Sequence, residues 1–317
     1  MSTKTSRWQR FWFEPEATSS LELFRIAFGL IAFAWTATLV PNMFAFYGRD
    51  GILPEIPSGA GGEWGVLELS NSPLLIVAVF VATLVAALAV TLGFHTRMAA
   101  IVLWVGIVSL EQRNLPVTNS GDGVVRSLAV LLILTPAGTA LSLDRLRSAP
   151  GHFWEFPARA PWATRLIQIQ ISLGYLFAAM GKLVTDEWQD GTAVSYALRL
   201  DDVHRLATPS FVTQSTTITA LLTYGTMVTE LSLAVLIWNR RLRPWVLLVG
   251  VSLHVGIESS IMVGFFSYAM VASYLCFIPP ETSTRYALAT RDGLKLLTAR
   301  RRRGMPPTDP APFASEV

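Results

Sequence analysis

The stretch RLIQIQISLGYLFAAMGKLVTDEWQDG, Arg165 to Gly191, carries a polar stripe along an apolar run and closes that run with a lysine. Arg165, Gln168, Ser172, Tyr175, Ala179 and Lys182 recur at spacings of three and four, the period that places side chains on one helix face. At 1.5 Å per residue this face is about 25 Å long, close to the depth of a hydrocarbon core. After Lys182 the chain turns acidic, with Asp186, Glu187 and Asp190 around Trp188. The stretch predicts a membrane helix with one small or polar face turned toward other protein.

The whole chain fits that setting. Of its 317 residues 52% are hydrophobic and 15% charged, and the mean hydropathy is +0.46, far more apolar surface than a soluble fold needs. Apolar runs at about 20–40, 73–93, 97–112, 123–139, 162–182, 214–238, 243–261 and 262–279 predict an all-α helical bundle of about eight transmembrane helices. The last two runs are divided only by Glu258, Ser259 and Ser260, so a seven-span alternative stays open there. The first run follows Lys4, Arg7 and Arg10, but it is longer than a signal-peptide core and its Ala32-x-Ala34 lies inside it. It reads as a retained helix.

The formal charge is +3 and the sequence pI about 9.2. The basic residues sit in short patches beside apolar runs, which argues for membrane orientation and against a nucleic-acid partner. With both termini cytoplasmic, Lys4, Arg7, Arg10, Arg145, Arg147, the cluster at 239–243 and the run Arg300 to Arg303 all fall inside. The opposite loops carry Asp50, Glu55, Glu63, Glu68, Asp186, Glu187, Asp190, Asp201 and Asp202. A multi-pass plasma-membrane protein follows, divided into a cytoplasmic segment 1–17, a membrane domain 18–280 and a basic, partly disordered tail 281–317. Cys276 has no partner in the sequence and no Cys/His spacing suggests a metal.

Ionisable groups inside a membrane face the bundle interior and mark sites by default. Thr219, Thr223, Thr226 and Glu230 form a stripe on the sixth helix, and His254 and Glu258 stand one turn apart on the seventh. Asp122 and Arg126, at i,i+4 where the fourth helix begins, suit an N-cap and an ion pair as well as a site. Lys182 fits a snorkelling anchor as well as a base, and His254 with Glu258 fits a pair holding a helix contact. Trp188 fits an interfacial belt. Glu22 and Arg25 read as a snorkelling pair outside the site. The site candidates are Lys182, His254 and Glu258 for catalysis, and Asp122, Arg126, Tyr175, Trp188 and Arg113 for substrate binding.

Arg165, Gln168, Tyr175, Lys182, Leu183, Trp188 and Gly191, with a second set at His254, Gly264, Phe266, Ser267 and Tyr268, resemble the HTTM family, the membrane domain shared with vitamin K-dependent gamma-carboxylase. The resemblance implies that Lys182 is the base that deprotonates a reduced vitamin K or menaquinol. Oxygen and carbon dioxide are the implied co-substrates, for epoxidation coupled to proton abstraction or carboxylation. The implied surroundings are membrane lipids, a lipid-soluble quinol and a secreted peptide or protein substrate, with no metal. This chain departs from the carboxylase at Gly121 and Asp122, where the relative has a histidine, and it shows no large C-terminal domain, so processive modification of a clotting-type substrate is not expected. The alternative is a non-catalytic membrane factor that binds or matures a secreted peptide through the acidic residues after Lys182. Transport through His254, Glu258 and Glu230 ranks third, with no internal repeat behind it.

Overall fold

A computed structural model describes residues 6–53, 64–70, 72–200 and 204–303. Glu55, Glu63, Asp201, Asp202 and the tail from Gly304 lie outside the described residues. The first half comprises α1 (Arg7–Phe13), α2 (Ser19–Leu39), α3 (Met43–Tyr47), α4 (Pro73–Leu92), α5 (Thr96–Arg113), α6 (Ser120–Leu134) and α7 (Leu143–Ser148). The second comprises α8 (Trp162–Leu183), α9 (Asp186–Gln189), α10 (Ala193–Ala197), α11 (Ser210–Gln214), α12 (Thr216–Val235), α13 (Arg243–Ser260), α14 (Phe266–Ser273) and α15 (Pro280–Arg303). Two short antiparallel strands, β1 (Glu16–Ala17) and β2 (Ala158–Arg159), tie the start of α2 to the start of α8.

Among the described residues, four helical stretches are long and apolar enough to cross a membrane: Ser19–Tyr47, Pro73–Leu92, Trp162–Leu183 and Thr216–Trp238. The other four apolar runs of the sequence are also helical, but shorter or more charged. Helix α5 carries Arg97, Glu111 and Arg113, α6 has 15 residues, and α14 has 8 before a 3-10 extension to Phe277. The first part of the basic tail is helical: α15 runs over Pro280–Arg303, and the stretch expected to be disordered, from Gly304, lies outside the described residues.

Packing runs in two groups. α4 packs between α2 and α5, which in turn meets α6; α12 packs against α8 and α13; and α14 joins the groups through α2, α6 and α13. Small residues permit the close contacts that helices need in lipid. At Gly106 of α5 a side-chain carbon would meet Thr83 of α4 at 2.0 Å.

The chain between α13 and α14 is broken, one residue beyond the polar Glu258–Ser260 where the break is expected. Ile261 leaves the helix to bridge His204, and Gly264 adopts φ +63°. A side chain at Gly264 would stand 2.8 Å from Asn119 Nδ2. This turn therefore needs glycine twice over, for its left-handed backbone and for its contact with the cap of α6.

Glu22 and Arg25 are fully buried rather than snorkelling. Arg25 donates to Glu22 at 2.8 Å and to the carbonyls of Val90, Thr91 and Leu141 at 2.6–2.7 Å. Glu22 accepts from the backbone of Gly138, Thr139 and Ala140. The pair closes the end of α4 and the 138–141 turn onto α2, so its low position on the helix masks a structural keystone. Spacing alone shows the pair but not the carbonyls that enclose it.

Candidate functional site

Lys182 lies in the last turn of α8, where its Nζ donates to Glu230 Oε1 of α12 at 2.8 Å. The helix stops at Leu183, and the short α9 folds back across its end. Gln189 Nε2 donates to the carbonyl of Leu183, one of the acceptors that a helix end leaves free. Tyr224 of α12 donates to the Gln189 carbonyl and pins this fold. Trp188 is thereby set against Lys182, with Nζ 4.9 Å from the ring centroid. An ammonium over an indole gains about 0.5–2 kcal/mol, according to its desolvation. Trp188 is thus placed by the lysine as well as by the interface.

Two turns deeper on the same face, Tyr175 Oη lies 2.7 Å from His254 Nε2 of α13 and also hydrogen-bonds Tyr274 Oη in the extension of α14. All three rings are buried. Tyr175, His254 and Glu230 line one cavity of about 270 Å³, whose remaining walls are largely apolar residues of α6, α8, α13 and α14. Lys182 is not a wall of it; Glu230 connects the two. Two buried polar atoms here, Glu230 Oε2 and His254 Nδ1, have no hydrogen-bond partner among the described residues. A buried polar atom without a partner costs about 1–3 kcal/mol, so this cavity is suited to a ligand that supplies hydroxyl groups.

The remaining candidates sit elsewhere. Glu258 does not pair with His254; its carboxylate contacts Arg205 at 2.6 Å, by charge rather than by an aligned hydrogen bond. One turn along α13 separates a residue facing α8 from one facing the loop that follows α10, where Arg205 N also donates to Ser260 O. Asp122 has a capping role, but the N-cap is Asn119, one residue before Ser120. The Asp122 carboxylate accepts from Asn119 N and from Trp35 Nε1, each at 2.8 Å. Arg126 forms a salt bridge with Glu111 of α5 at 3.0 Å. Asp122, Glu111, Trp35 and Tyr47 line a separate cavity of about 170 Å³ beside the α6 cap. Arg113 is buried and donates to the carbonyl of Leu53, holding the loop after α3.

The geometry thus unites Lys182, Trp188, Tyr175 and His254 with two residues outside the candidate set. Glu230 stands on the threonine stripe of α12, a pattern that marks its face but not its partner. Tyr274 lies in the apolar segment YLCF, where nothing in the spacing distinguishes it from packing. Among the described residues no group of three or more His, Cys, Asp or Glu is placed to hold a metal.

Comparison with known proteins gives one result. A family model described as the HTTM domain matches residues 13–281. No curated protein and no solved structure matches the chain. That family match spans most of the chain and includes both the lysine motif and the Gly264 turn, together with all four helices able to cross a membrane. The chain therefore belongs to the HTTM domain family and is a membrane protein.

Proposed function

We propose that the cavity beside Tyr175, His254 and Glu230 receives a lipid-soluble quinol, and that Lys182 is the base that takes a proton from it. The observation that carries this reading is the Lys182–Glu230 pair, joined to a cavity whose edge holds two buried polar atoms without partners. A volume near the lower end of ligand pockets, about 300 Å³, suits an aromatic head group with its tail in lipid. When bound, a reduced vitamin K or menaquinol supplies, with oxygen, the strongly basic species that epoxidation and carboxylation require.

The residues of this chain do the rest. A lysine accepts a proton only when neutral, so Lys182 must first hand its own proton on. The Glu230 carboxylate at 2.8 Å can take that proton and become a neutral acid; the amine then accepts the proton of a quinol hydroxyl, and the resulting ammonium faces the quinol anion it has formed. Tyr175 and His254 orient a hydroxyl at the cavity edge, and Trp188 limits water at the lysine.

The same reading makes the chain an eight-span plasma-membrane protein with both termini cytoplasmic. Support comes from the helical state of the apolar runs and from the basic patches in the sequence segments assigned to the inside. The decisive experiment incubates the purified protein with reduced menaquinone or vitamin K and oxygen, then seeks epoxide by mass spectrometry. Wild type should form it and Lys182→Ala should not; absence from both, or equal yield from both, rejects the reading.

A second reading rests on Asp186, Glu187 and Asp190, which are exposed on and after α9. It makes the chain a non-catalytic factor that captures a basic secreted peptide. Peptide capture that survives Lys182→Ala but is lost on neutralising those three carboxylates favours this factor.

A further inference from the structure

A third cavity, of about 340 Å³, lies at the other end of α8 from Lys182. Here the first turns of α8 and α13 meet the start of α15 and the strand pair. Four arginines line it, Arg159, Arg165, Arg240 and Arg243, against two carboxylates, Glu16 and Glu281. The deeper two are fixed. Arg165 pairs with Glu16, donates to Gln168 at 3.0 Å and lies over the ring of Phe11, while Arg243 donates to the carbonyls of Ile237 and Phe277.

Arg159 and Arg240 are exposed, and neither makes a side-chain hydrogen bond or salt bridge among the described residues. Arg240 and Arg165 both act on the charge of Arg243, so like charges are held together here. Such a cluster is stable when an anion joins it, and the planar guanidinium fork matches phosphate oxygens in pairs. Pro161 gives α8 no side-chain cap, leaving its first amides and the positive end of its dipole at the cavity. Between the arginines the walls mix polar Thr18, Ser20, Thr164 and Gln168 with aromatic Phe11, Trp238 and Phe277, and α1, which supplies Phe11, also exposes Trp8 and Phe13, the residue types that settle at a lipid interface.

We propose that this cavity binds a phosphate group, supplied by an anionic glycerophospholipid of the adjoining leaflet. The arginines take the headgroup and the aromatic residues face the acyl chains. The proposal is independent of the chemistry at Lys182.

Full-length protein in phosphatidylcholine nanodiscs, titrated with phosphatidylglycerol and read by native mass spectrometry, tests it. A parallel arm titrates inorganic phosphate. Phosphatidylglycerol should be retained, and the double change Arg159→Gln with Arg240→Gln should weaken it at least tenfold. Arg145→Gln with Arg147→Gln, basic residues outside the cavity, should leave it unchanged. Helical circular dichroism, with the single Arg240→Gln as a milder variant, checks that the fold survives. If both double variants weaken binding equally, or neither does, the cavity is not the site. If only inorganic phosphate binds and the cavity variant abolishes it, the lipid source is overturned and a soluble phosphate site remains.

Discussion

Lys182 Nζ and Glu230 Oε1 stand 2.8 Å apart, joining the last turn of α8 to α12 with both side chains mostly buried. Removing one partner strands the other. Glu230→Ala should lower thermal stability in detergent more than Glu230→Gln, by about 3 kcal/mol if the site is as dry as a protein interior. Replacing both, Lys182→Met with Glu230→Leu, should recover most of that loss while abolishing epoxide formation. A double variant as unstable as Glu230→Ala argues that the pair is not the unit described.

The Tyr175 hydroxyl touches two buried groups at once. Tyr175→Phe leaves His254 Nε2 and Tyr274 Oη each short of a partner, a cost of about 1–3 kcal/mol. Tyr274→Phe removes a single contact and should cost less. Chemical or thermal unfolding of the two variants gives the comparison; equal losses contradict the bridging role of Tyr175.

Arg25 should matter for folding and not for chemistry. Arg25→Met abandons three carbonyls and leaves Glu22 charged in a sealed site, so the yield of folded protein should fall steeply. Under the proposed function, folded protein that is recovered should form epoxide at the wild-type rate per molecule. A normal yield with a lost rate reverses the assignment.

At Gly264, alanine meets both a left-handed backbone and the Asn119 side chain. The backbone part alone costs about 1–2 kcal/mol. Pairing Gly264→Ala with Asn119→Ala relieves the clash but sacrifices the α6 cap, worth about 1 kcal/mol, so the double variant should not return to wild-type stability.

Orientation can be read directly. Charge reporters inserted after residues 60 and 200 should report the outside, with both termini inside; cytoplasmic signals at either position overturn the eight-span arrangement.

The helices were legible because apolar length and the three-and-four period are local properties of the chain. The stripe from Arg165 to Lys182 turns inward as expected, with Gln168, Ser172 and Tyr175 buried. Partnerships were less legible, because they depend on which faces meet. His254 and Glu258 are one turn apart yet reach different elements, and Arg126 reaches across to Glu111 of α5, a partner that spacing within its own helix does not announce. Local spacing offers a partner; packing supplies a better one. The Glu22–Arg25 pair shows the same limit, since carbonyls of α4 and of the 138–141 turn convert a surface motif into a buried one.

Helix α9 is only four residues long, yet its tryptophan roofs Lys182 while its carboxylates point outward. Cover and outer surface are therefore one lever, hinged at Thr185 and braced by Tyr224. Under the proposed function, a partner gripping the acidic side would pull on the roof of the lysine, so that capture at the carboxylates and exposure of Lys182 would be mechanically one event.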